Sequence, residues 1–308
     1  MNITLLGAGT GVPESLTVTA QNALLSADAI LGAARLQSAL PADTQADYVP
    51  ATDPDEILAW IEAHPTVHKL CILLSGDPGF YSGARRLLPR LSAHAVTVLP
   101  GISSVQALAA RLGRPWQSWK LASAHGRDCQ AALLIRDHAE TFFLTGGAQA
   151  LCQILCDVGF SSLTGIVGEC LGGADERVIC GTLASLAAQP FDPLSVLLVE
   201  NPNPRKRRAP GFPDSAFLRG DVPMTKSEVR AAILAKLSLE QDDVVFDVGA
   251  GTGSVAVEAA LLASGGTVYA IEREADACAL IAENAARFGQ GYAGIVQHTW
   301  STERKKLS

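Results

Sequence analysis

The chain has 308 residues, 48% of them hydrophobic and 18% charged, which is enough apolar material for one or two full cores and, by length, for two domains. A formal net charge of −7 argues against a broad nucleic-acid footprint, whose surface must neutralise many phosphates with clustered Lys and Arg, and points to a small-molecule ligand. No window reaches the ~18 consecutive apolar residues of a membrane helix, and MNITLLGAGTGVPES has no basic segment ahead of its apolar stretch, so a cytoplasmic protein is expected.

Taken in chain order, short apolar runs bounded by Gly or Pro alternate with longer helical patterns: residues 3–9 (ITLLGAG), 29–32 (AILG), 69–76 (KLCILLSG) and 95–101 (AVTVLPG). That alternation predicts a parallel sheet of α/β type. Beyond Gly113 a second series follows, with residues 141–147, 164–169 and 193–200 as its most strand-like parts, and it reads as another lobe. The seven cysteines are dispersed; only Cys152 and Cys156 lie close, at a helical spacing without a His or third Cys, and they read as buried reduced thiols rather than a metal site.

Residues 201–215 (NPNPRKRRAPGFPDS) pack prolines and the basic run 205–208 between two apolar segments, the composition of an exposed linker. The run reads as a solvated tether, with phosphate binding as the alternative. The expected division is residues 1–200, with lobes of about 1–112 and 113–200, a linker over 201–212, and a further domain over 213–308.

In that last domain, VFDVGAGTGS (residues 245–254) puts Gly249, Gly251 and Gly253 between an apolar strand and an apolar-faced helix. Without Cβ atoms in the way, backbone N–H groups in such a turn can approach a ligand closely. About twenty residues on, Glu272 closes the strand TVYAIE, where a carboxylate can accept from two ribose hydroxyls. Nicotinamide enzymes use a related turn with the same downstream acid. Here Asp247 precedes Gly249 by two residues and the loop reads Gly249, Ala250, Gly251, Thr252, Gly253. That form is similar to class I methyltransferases, in which the acid faces the amino-acid end of S-adenosylmethionine.

The first half carries GAGTG (residues 7–11), LLSGDPGFYSGA (73–84) and PGISSVQALAARLG (100–113). In this order and at these intervals they resemble the tetrapyrrole methylase family, whose members methylate porphyrin-derived and corrin-precursor rings. The resemblance covers about residues 1–200 and implies a methyl donor, S-adenosylmethionine, folded between two α/β lobes. By motif it places donor contacts at Thr10, Gly76, Asp77, Phe80, Ser103, Ser104 and Thr145, with threonine at position 10 where the family commonly has proline. A dimer through this half is also implied.

LASAHGR (residues 121–127) is similar to the branch of the family that methylates carbon 5 of a precorrin. A His and an Arg at the mouth of a cleft suit a substrate with many carboxylates; His125 and Arg127 are candidates for that contact, or for capping the connection between lobes, and the residues alone leave both open. PDSAFLRGDVPMTKSEVRA (213–231), followed by the glycine loop, is similar to methyltransferases of the same pathway that methylate carbon 15 and remove an acetate carboxyl. It implies Thr225 bordering a second donor site and Lys226 facing substrate.

The expected fold is therefore α/β: a two-lobed tetrapyrrole methylase fold followed by an incomplete Rossmann-like class I methyltransferase domain. It is incomplete because about twenty residues follow the helix after Glu272, and no Gly-Asp-Ala-type loop appears among them. The expected activity is methylation of a precorrin ring at carbon 5 with little or none at carbon 15, and no metal is called for. The rivals are a nicotinamide-dependent oxidoreductase using the turn at 249–253 and a non-catalytic assembly partner that binds donor or ring.

Overall fold

The computed structural model describes residues 1–125, 129–204 and 210–288, together with the backbone of a strand at Ile295–Thr299. The chain divides into two compact units, the first of Met1–Cys129 with Glu140–Asn201 and the second of Gln130–Ala139 with the chain from Pro202 onward.

The first unit begins with β1 (Asn2–Gly7), α1 (Val18–Leu25), β2 (Ala29–Gly32), β3 (Asp47–Pro50), α2 (Pro54–Ala63), β4 (Lys69–Leu74), α3 (Ala84–Leu87), β5 (Ala95–Leu99) and α4 (Ser104–Leu112). The strands form one parallel sheet in the order β3-β2-β4-β1-β5. Successive residues of β1 enter opposite cores. Ile3 and Leu5 pack with Leu31, Leu70 and Ile72 on one face, while Leu6 packs with Ile30, Cys71 and Leu73 on the other. A strand buried on both faces has no polar side to alternate with, which is why β1 and β4 read as continuous apolar runs.

The unit continues with β6 (Lys120–Ser123), then, beyond a helix α5 (Ala131–Asp137), with β7 (Glu140–Leu144), α6 (Ala148–Leu155), β8 (Thr164–Glu169), β9 (Arg177–Thr182), α7 (Leu183–Ala187) and β10 (Ser195–Glu200). Here the sheet order is β6-β7-β10-β8-β9. Only β6 and β7 run parallel; β10 lies antiparallel to both β7 and β8, and β9 antiparallel to β8. The sequence pattern located this lobe's central strands but not its mixed direction. It also left out β3, β6 and β9, which all lie at sheet edges. Edge strands are half-solvated and carry weaker apolar patterns.

The expected lobe over 113–200 is interrupted, because the segment Gln130–Ala139, with α5 at its centre, groups with the second unit. There the Arg136 guanidinium donates to the Phe288 carbonyl. That unit holds α8 (Ser227–Leu237), β11 (Val244–Val248), α9 (Ser254–Leu262), β12 (Thr267–Glu272), α10 (Ala275–Arg287) and β13 (Ile295–Thr299), with a parallel sheet in the order β11-β12-β13. Its core joins Leu234 of α8, Ala256 and Ala260 of α9, Val268 and Ala270 of β12, and Ile281 of α10. The outer face of β11 is bare: Val244, Phe246 and Val248 are each at least 60% exposed.

Among the described residues every cysteine is free. Burial pushes the Cys152 thiol up to about 12, so it behaves as a small apolar side chain. The basic run at 205–208 and Arg127 lie outside the described residues.

Candidate functional site

In a parallel sheet the ligand crevice lies beyond the carboxyl ends of the strands, and in the first unit those of β1, β4 and β5 meet there in backbone contact. Gly9 and Gly76 exchange hydrogen bonds, Gly76 N–H donating at 2.9 Å and Gly9 N–H at 3.2 Å. A Cβ on Gly101 would stand 2.3 Å from the Gly76 carbonyl oxygen, and one on Gly7 2.4 Å from the same atom. Gly7 and Gly101 thus have to be glycine for steric reasons, whereas Gly76 has room for a Cβ but adopts a left-handed φ of 67° that favours glycine.

Asp77 locks this junction. Its Oδ1 accepts from the Gly79 N–H at 2.8 Å and its Oδ2 from the Gly101 N–H at 3.0 Å, tying the loop after β4 to the loop after β5. Ser103 caps α4: its Oγ accepts from the Gln106 N–H, while its own N–H donates to Gln106 Oε1 at 2.8 Å, a reciprocal capping box. Thr145 is buried and donates to the Ser195 carbonyl at 2.8 Å, and its Oγ1 accepts from the Gly147 N–H at 3.3 Å. Asp77, Ser103 and Thr145 thus direct their polar side-chain atoms to neighbouring backbone and side chains, which hold these loops in place.

A cavity of about 960 Å³ opens at this junction, large for a small-molecule site. Thr10, Gly76, Asp77, Phe80, Ser103, Ser104, Thr145 and His125 all line it. The buried Thr10 Oγ1 has no hydrogen-bond partner among the described residues, and Gly172 leaves room for it, since a Cβ there would stand 2.2 Å from that oxygen. The imidazole of His125 packs over Gly146, where a Cβ would lie 2.9 Å from Nδ1.

Sequence reasoning missed part of this lining. Arg35, in the turn after β2, and Arg85 and Arg86, on α3 directly after the Gly76–Asp77 loop, also face the cavity, as does Cys170 of the turn after β8. The signal for the arginines was the SGARR continuation of the aspartate loop and the rule that turns after parallel strands face the crevice.

In the second unit a cavity of about 680 Å³ is lined by Thr225, Gly249, Ala250, Gly251 and Glu272, with Val222, Pro223 and Asp276. Glu272 closes β12 and accepts from the Arg273 N–H at 2.6 Å, the Gly251 N–H at 2.8 Å and the Glu274 N–H at 3.2 Å. Those bonds, led by the one from Arg273, hold its carboxyl below the usual carboxylate value. Asp247 is opposite in character. Burial pushes its carboxyl up, the nearby Glu272 charge adds to the rise, and its Oδ2 has no partner among the described residues. Gly249, Gly251 and Gly253 all take left-handed φ values, and no atom of the described residues lies within 4 Å of where a Gly249 Cβ would stand.

Thr252 and Gly253 lie at the base of this loop rather than along the cavity. Thr252 is buried, and its carbonyl accepts from Asn284 Nδ2; Gly253 packs against Ile281. Lys226 does not line the cavity; its Nζ is 3.5 Å from Asp214. A feature the sequence did not reveal supports the roof. Arg230 of α8, fully buried, donates to Glu258 at 2.6 Å, to the Thr225 carbonyl at 2.6 Å and to the Phe212 carbonyl at 2.6 Å.

Comparison with known proteins fits this geometry. The family model for Tetrapyrrole (Corrin/Porphyrin) Methylases matches residues 2–187, and the chain belongs to that family. Residues 216–305 match the model described as precorrin methyltransferase domain. Among curated relatives, the precorrin-6Y C(5,15)-methyltransferase [decarboxylating] of Sinorhizobium sp is 33% identical over 228 residues, 71% of this chain and 54% of that protein. The probable cobalt-precorrin-6B C(15)-methyltransferase (decarboxylating) of Pyrobaculum aerophilum is 49% identical over 89 residues, 28% of this chain and 45% of that protein. The chain thus spans about half the length of the curated relatives it matches. The fold resembles uroporphyrin-III C-methyl transferase from Thermus thermophilus, solved with S-adenosyl homocysteine, at a TM-score of 0.54 and 20% identity, covering 65% of this chain and 98% of that one.

Proposed function

We propose that the chain methylates a precorrin ring at carbon 5, using S-adenosylmethionine bound in the first unit's cavity. The observation that carries this reading is the junction at Gly7, Gly76 and Gly101, where three strand ends present bare backbone to a cavity of about 960 Å³. Thr10 supplies an uncommitted hydroxyl at that cavity, which fits a polar donor.

The donor brings a methyl group already activated by its positive sulfur. In an in-line displacement the sulfur–methyl bond breaks as the carbon–carbon bond forms, and sulfur keeps the electron pair. The chain's own residues have mainly to hold the two partners in near-attack geometry and exclude water. Asp77 fixes the loops, Ser103 and Ser104 border the donor's polar end, and His125, with Arg127, meets substrate carboxylates. In the second unit, Thr225, Gly249, Ala250, Gly251 and Glu272 would hold a second donor, with Asp247 beneath them. Cytoplasmic residence and a dimer through the first unit belong to the same reading.

The test is mass spectrometry of a reaction containing this chain, labelled S-adenosylmethionine and the reduced precorrin. A gain of one methyl without loss of carbon dioxide is the expected result. Donor binding with no methyl gain would overturn the reading.

A further inference from the structure

The described arginines of the first unit sort into two sets. Arg90 pairs with Asp55, Arg111 with Glu176, Arg114 with both Glu140 and Glu200, and Arg177 with Glu169. None of these four lines the cavity, whereas Arg35, Arg85 and Arg86 all do. Those three are exposed and have no acidic partner among the described residues.

The cavity's acidic lining does not balance them. Asp77 is its one carboxylate among the described residues, and both its oxygens already accept backbone N–H groups. Unpaired like charges placed together repel one another, and a fold that pairs its other arginines leaves these three free where a ligand would lie. A guanidinium is planar and binds carboxylate bidentately, and at a partly enclosed cavity wall that contact is stronger than in open water.

We propose that Arg35, Arg85 and Arg86 are the specificity-determining residues that grip the peripheral carboxylates of the macrocycle, selecting rings by how many acid groups they carry. This rests on the proposed tetrapyrrole substrate and extends it. It places acid recognition on the turn after β2 and on α3, on the side of the cavity formed by the parallel sheet.

The full chain and its Arg35→Gln, Arg85→Gln and Arg86→Gln variants, singly and combined, would be titrated with uroporphyrin, an octacarboxylate, and deuteroporphyrin, a dicarboxylate, by fluorescence. S-adenosylhomocysteine binding, measured in parallel, reports an intact fold. The wild-type chain should prefer uroporphyrin, increasingly so at low salt. Each substitution should weaken uroporphyrin binding about tenfold, the effect of losing one charge-assisted contact, and the combined variant should lose both the preference and its salt dependence. An unchanged preference in a combined variant that still binds S-adenosylhomocysteine would overturn the arginine assignment and leave the substrate reading standing. A wild-type chain that binds S-adenosylhomocysteine but neither porphyrin would overturn both.

Discussion

Arg230 and Glu258 form an ion pair with both side chains wholly removed from solvent, Nε to Oε1 at 2.6 Å. Backbone groups surround it on several sides. Arg230 also donates to the carbonyls of Thr225 and Phe212, Glu258 accepts from the N–H groups of Gly211 at 2.7 Å and Phe212 at 3.2 Å, and the guanidinium lies 4.6 Å from the Phe217 ring centroid. The pair thereby fastens the segment that leads into the second cavity to two helices of the core.

Removing one partner leaves a buried charge alone, at a cost of about 3–5 kcal/mol, whereas replacing both with apolar groups can be near neutral. Glu258→Leu should therefore strip hydrogen-exchange protection from the backbone around residues 211–225, and the double variant Arg230→Met with Glu258→Leu, which removes the lone charge but still leaves the Gly211 and Phe212 N–H groups without their acceptor, should recover only part of it. A single variant with wild-type protection would show that the pair does not fasten this segment.

The three-glycine junction of the first unit makes a sharper prediction. Gly101→Ala puts a methyl group 2.3 Å from the Gly76 oxygen, with backbone on both sides and nothing flexible to yield. Donor binding should fall by about a hundredfold or more, the consequence of moving a ligand loop at a cost of about 3 kcal/mol. Gly113→Ala is the control. Its φ of 62° costs backbone strain of about 1 kcal/mol, but no atom of the described residues lies within 4 Å of the added carbon, so binding should be retained. Calorimetry with S-adenosylhomocysteine compares the two, and equal losses would refute the steric account.

The junction was legible in the sequence because its cause is local: glycines and an aspartate at strand ends, at recognisable intervals. The same holds for β1, β4 and the loop at 249–253, where apolar runs stop at glycine. Contacts between distant residues were not legible. Arg230 and Glu258 are 28 positions apart on helices whose packing no periodicity announces. The unpaired state of Arg35, Arg85 and Arg86 is defined by which carboxylates the fold brings to the other arginines. The direction of β10 was hidden too, since an apolar run reads alike in parallel and antiparallel sheets.

Asp247 links stability to pH in a direction opposite to most carboxylates. Burial raises its proton affinity in the folded state above that in the unfolded chain, so the stability it contributes is present below the ordinary aspartate value and is lost as pH rises through the raised one. Asp247→Asn removes that dependence. The variant's second unit should melt higher than wild type at neutral pH, with the gain vanishing on acidification. If Asp247 also serves the donor, as proposed, binding there should weaken about tenfold, the loss of one charged contact. A gain that grows on acidification would contradict the sign.

β11 lies at the edge of its sheet, and the outward set Val244, Phe246 and Val248 offers an apolar face as well as an open edge, with Phe246 stacked on Tyr269 at 4.9 Å. Such a surface favours association between chains. Val244→Thr with Val248→Thr keeps the branched shape that suits a strand and exchanges two methyl groups for hydroxyls. At about 0.8 kcal/mol per buried carbon, association through this face should need about tenfold higher concentration. Light scattering across a dilution series measures that shift, with S-adenosylhomocysteine binding as the check on folding. Scattering that stays at the wild-type level would mean that the face of β11 is not where chains meet.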